Sequence, residues 1–84
     1  MYRMDPFTFT AQAGEKLTLV MNRVSGGYDM VVEIRDTNGV VLASRSDNPR
    51  AVIADFTCPS NSTYTIWAYY QDTYTGTYQI GFVR

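Results

Sequence analysis

Apolar and polar side chains alternate every two residues through most of this chain, and that period restricts the fold to β structure. The pattern is clearest from Ser62 to Arg84, a segment holding five of the seven tyrosines and the only tryptophan. Tyr64, Ile66, Ala68 and Tyr70 share one face of an extended strand, while Thr63, Thr65, Trp67 and Tyr69 share the other. After a short polar turn, Tyr78, Ile80 and Phe82 alternate with Thr77, Gln79, Gly81 and Val83. The two runs read as a β-hairpin, with Trp67 and Tyr69 turned towards solvent.

Further strands precede this pair. Phe7 to Thr10 alternates cleanly, and Lys16 to Asn22 places Leu17, Leu19 and Met21 on one face. Ser25-Gly26-Gly27 reads as a loop, followed by a strand from Asp29 to Arg35 that points Met30, Val32 and Ile34 one way and Asp29, Val31, Glu33 and Arg35 the other. Asp36-Thr37-Asn38-Gly39 is the strongest hairpin signal in the chain, because Asn-Gly accepts positive φ. Val40 to Ser44 is the returning strand, Arg45 to Pro49 a polar loop, and Arg50 to Thr57 another strand. With no helical period anywhere, the chain predicts an all-β fold: an antiparallel β-sandwich, jelly-roll-like, of about seven strands.

At 84 residues the chain makes one domain, and a domain of that size buries only about 60–65% of its unfolded surface. Seven basic and eight acidic residues, spread without runs, provide no basic patch for nucleic acid or an anionic membrane. No apolar run reaches membrane length. Histidine is absent, which removes Ser-His and Cys-His nucleophile pairs and imidazole metal sites. The single Cys58 excludes an internal disulfide and reads as a small buried apolar side chain. The carboxylates Asp29, Glu33, Asp36, Asp55 and Asp72 are scattered and no Gly-rich phosphate loop exists, so the expectation is a protein that is not an enzyme. Met1 to Met4 is too short and charged for a signal peptide and reads as an N-terminal extension, frayed at Met4. The chain as a whole reads as a domain excised from a longer polypeptide.

The run Asp5-Pro6-Phe7-Thr8-Phe9-Thr10-Ala11-Gln12-Ala13-Gly14-Glu15-Lys16-Leu17-Thr18-Leu19 resembles the signature of the bacterial pre-peptidase C-terminal domain family. Asp29 to Leu42, Ser62 to Ile66 and Gly76 to Ile80 are similar to later pieces of the same pattern, in the same order. The resemblance spans nearly the whole chain. It implies a secreted, non-catalytic β-sandwich appended to exported enzymes, related in fold to collagen- and polysaccharide-binding modules. It also implies a strand before Asp5, where only four residues stand. A missing strand would leave an open sheet edge or a gap over the core, and predicts edge pairing or strand exchange between copies.

Two candidate sites follow. Trp67 and Tyr69, extended by Tyr74 in the polar turn, offer flat amphipathic rings for stacking on sugar faces or a collagen-like peptide. The same rings could instead pair across strands, contributing roughly 0.2–1 kcal/mol per pair, or be covered by a partner domain or another copy. Calcium is the second candidate, with Asp29, Asp36 and Asn38, and beside them Asp47 and Asn48, as oxygen ligands near loops. Turn chemistry explains Asp36 and Asn38 equally well. No other cofactor is expected.

Overall fold

The computed structural model describes residues 4–26, 30–47, 49–70 and 76–84. Within them lie seven strands: β1 (Met4–Ala11), β2 (Lys16–Gly26), β3 (Met30–Arg35), β4 (Val41–Asp47), β5 (Arg50–Thr57), β6 (Ser62–Tyr70) and β7 (Gly76–Val83). They form two antiparallel sheets, one of four strands in the order β1-β6-β3-β4 and one of three in the order β5-β2-β7. This is the expected all-β sandwich, and the described residues contain no helix.

The alternation read from the sequence places the core. Leu17, Leu19 and Met21 of β2 face Met30, Val32 and Ile34 of β3 and Tyr64, Ile66 and Ala68 of β6 across the two sheets, all of them buried. Each such side chain, once buried, contributes about 1.5–3 kcal/mol of hydrophobic free energy. Tyr64 fits among them because its hydroxyl donates to the Ser60 carbonyl at 2.5 Å and accepts from the Ser60 amide at 3.1 Å. A tyrosine reaching back to backbone four residues upstream is a tyrosine corner, which pins a strand entry in sandwiches. Tyr70 does the same work between sheets, donating to the Thr77 carbonyl of β7 at 2.6 Å.

Strand β5 keeps its apolar residues inward by a slip of phase. Ala51 and Ile53 point to the core, and then Phe56 and Cys58 do. A bulge between the Leu17–Phe56 and Leu19–Ile53 pairs absorbs the odd residue. Asp55 occupies it at φ 54°, and its amide donates to the Thr18 hydroxyl at 3.2 Å.

Several expectations are corrected. The largest concerns β6 and β7, which lie in different sheets and form no hairpin: β6 pairs with β1 and β3, β7 with β2. Met4 is not frayed but pairs with Tyr69 at the start of β1. β2 continues through Gly26, where a loop was expected, by pairing with Gly76. β4 likewise extends to Asp47, because Arg45 and Asp47 pair with Val32 and Met30. Val31, assigned to the solvent face, is buried there, since it stands between Tyr69 of β6 and Ser46 of β4.

Candidate functional site

The outer face of the four-stranded sheet carries the two candidate rings. Register sets Pro6 of β1 and Glu33 of β3 on either side of Trp67, and Thr8 and Arg35 on either side of Thr65. Both Trp67 and Tyr69 are half-buried, less open than the alternation alone predicts. Their neighbours explain the difference. The Arg35 guanidinium lies 5.8 Å from the Trp67 ring centroid, within cation–π range, and the Tyr69 hydroxyl donates to Glu33 at 3.1 Å.

Glu33 ties these groups together. One carboxylate oxygen accepts from Arg35 Nε at 2.8 Å and meets Arg35 Nη2 at 2.5 Å, while the other accepts from Tyr69. Glu33 and Arg35 are two residues apart on one strand, so they necessarily share a face. The result is a fixed cation held over an indole, with its charge matched by an adjacent carboxylate.

Beyond the indole a shallow concavity opens, lined by Arg35, Asp36, Thr37, Gly39, Thr63, Thr65 and Trp67. One wall is the aromatic ring and the guanidinium; the rest is hydroxyls and turn backbone. Hydroxyl-rich ligands with one apolar face match that lining, because stacking and hydrogen bonding are offered side by side.

The turn that borders the concavity is held by Asp36. Its carboxylate accepts from the amides of Asn38 and Val40, both at 2.9 Å, and its own amide donates to the Val40 carbonyl at 3.0 Å. Turn chemistry therefore occupies Asp36, and no group of three or more His, Cys, Asp or Glu is assembled for a metal among the described residues. Asp29, Asn48 and Tyr74, named with the calcium candidate and the extended aromatic platform, lie outside the described residues.

A second feature, for which the sequence offered only the general expectation of an open edge or a gap over the core, lies on the side of the sandwich where β1 and β7 are edge strands. Phe7, Thr8, Phe9, Ile66, Ile80 and Phe82 line an almost wholly apolar cleft. Phe7 and Phe82 stand on the core-facing side of their strands, yet they are 46% and 37% exposed. The Arg84 guanidinium closes one end, 5.7 Å from the Phe9 ring and 5.6 Å from the Phe82 ring. It donates to the Thr10 carbonyl at 2.7 Å and pairs with Glu15 at 3.1 Å. Alternation sets Phe7 with Phe9 and Phe82 with Ile80 on one face of their strands, but it carries no signal of whether another strand covers them.

Set against protein-family models and curated proteins, the chain matches none.

Proposed function

We propose that this domain is a non-catalytic binding module that holds a polysaccharide chain against the outer face of its four-stranded sheet. The observation carrying the reading is the Trp67 concavity, where one aromatic wall meets a rim of threonine hydroxyls, turn backbone and a charge-matched Arg35–Glu33 pair. A sugar ring stacks its C–H face on indole and turns its hydroxyls towards such a rim. The charge match favours a neutral ligand, because Arg35 is already engaged by Glu33. The resemblance of Asp5 to Val83 to pre-peptidase C-terminal domains supports a place as an accessory domain of a secreted enzyme, targeting it to its substrate.

Retention on insoluble neutral polysaccharides, with fibrillar collagen as the competing ligand, tests the reading. Trp67→Ala is expected to weaken polysaccharide retention by about tenfold or more, while costing only about 1 kcal/mol of stability from the lost ring contacts. Tyr69→Phe, which removes one hydrogen bond to Glu33 and keeps the ring, should retain most of the binding. Retention on collagen alone, or polysaccharide binding unaffected by Trp67→Ala, would sink it.

A further inference from the structure

The seam between β1 and β6 repeats one pattern in both strands. Thr8 and Thr10 flank Phe9, and Thr63 and Thr65 flank Tyr64. Register sets Phe9 against Tyr64, Thr8 against Thr65 and Thr10 against Thr63. Successive side chains point to opposite faces, so the two aromatic residues turn inward and the four threonines stand side by side on the outer face. Beneath them the Phe9 and Tyr64 rings stack at 5.4 Å, and the Tyr64 hydroxyl is tied to Ser60. The Arg84 guanidinium holds the Thr10 carbonyl at 2.7 Å. The backbone under the threonines is therefore anchored in both strands.

Their hydroxyls are unengaged. None of the four has a hydrogen-bond partner among the described residues. On the three-stranded sheet, by contrast, Ser25 and Thr77 bond one another at 2.8 Å and the Thr18 hydroxyl accepts from the Asp55 amide at 3.2 Å. Thr8, Thr10 and Thr63 are exposed, and Thr65 is half-buried. A threonine side chain is stiff at its first torsion, so ordering these hydroxyls on a ligand costs little entropy. Pro6, opposite Trp67, completes the seam, and neither of its columns carries a charge. Of the charges that border it, Arg35 is paired with Glu33 and Arg84 with Glu15, and Asp36 is engaged by turn amides.

We propose that the seam is a binding track, on which a neutral polysaccharide chain lies from Pro6 and Trp67, past Thr8 and Thr65, to Thr10 and Thr63. This rests on the polysaccharide reading of the Trp67 concavity and gives that ligand a direction, along the strands and not across them. The track covers four residue steps of strand, about 13 Å. That is longer than one sugar ring, and it favours a chain over a single sugar. Its hydroxyls recur about every 7 Å along the strands and about every 5 Å between them, each able to donate and to accept. A crosswise path, from Trp67 over Glu33 to Ser44, instead meets a carboxylate already engaged by Arg35 and Tyr69.

Retention on cellulose and chitin powders tests the track. The unaltered protein is expected to be held on at least one of them, and Trp67→Ala to lose its hold. Thr8→Val combined with Thr10→Val keeps the branched shape, removes two hydroxyls and should weaken retention by about tenfold. Thr10→Val alone, at the position farthest from Trp67, should weaken it by about threefold and covers the case in which the double variant fails to fold. Ser44→Ala combined with Ser46→Ala, at exposed positions of β4, should change nothing. Retention that Trp67→Ala abolishes but the β1 threonine variants leave intact overturns the track while the concavity stands. A loss in the Ser44 and Ser46 variant as large as in the threonine variants turns the chain across the strands and overturns it too. An unaltered protein held on neither powder removes both readings.

Discussion

Cys58 shows what a single burial does. It is buried at the end of β5, with its amide donating to the Glu15 carbonyl at 2.9 Å and its carbonyl accepting from the Gly14 amide at 2.8 Å. Burial pushes the thiol pKa up, the Glu15 carboxylate adds to the effect, and Arg84 opposes it. Burial raises the Tyr70 phenol in the same way, with Arg23 opposing. In both cases the folded state holds its proton more tightly than the unfolded chain. Their contribution to stability is therefore complete below the unfolded pKa and is lost as pH rises through the folded one. Stability should accordingly decline as pH rises through about 8.5, where an unfolded cysteine is half ionised. Melts of the protein and of Cys58→Ala between neutral and alkaline pH check this, and the variant should show the shallower decline. The sequence already suggested an inert small side chain here, because nothing beside Cys58 in the chain is built to activate it.

At the scale of elements, turns that carry their own chemistry were legible and turns defined by tertiary position were not. Asp36 to Gly39 forms the expected β3–β4 connection: Gly39 takes φ 82°, and its amide donates to the Asp36 carbonyl at 3.1 Å. Gly39→Ala should cost roughly 1–2 kcal/mol by denaturant unfolding. The cost is backbone strain alone, because an added Cβ there meets no atom within 4 Å. The β6–β7 connection was misread because alternation reports which residues share a face, not which sheet the next strand joins. Trp67 and Tyr69 were assigned to the correct face for the same reason that their exposure was overstated. Period two fixes the face, whereas Arg35 and Glu33, which half-cover the rings, come from a strand more than thirty residues away. The lining of the cleft was not legible for a related reason: alternation marks Phe7 and Phe82 as inward whether or not a strand lies over them.

For the whole molecule, the strand order makes most contacts distant in sequence. Met4 pairs with Tyr69 and Thr18 with Val83, so the outer pairs close only after long loops are ordered. Folding should be slow for so small a chain, in roughly the millisecond-to-second range of β-sandwiches. Stopped-flow refolding followed by Trp67 fluorescence reads this directly, and a microsecond phase carrying the full amplitude would contradict it. The exposed edge of the four-stranded sheet carries its own safeguard as well. Arg45 and Asp47 sit on core-facing positions of β4, opposite Val32 and Met30, and a strand arriving there from outside would have to bury both charges, so that edge is a poor template for sheet growth.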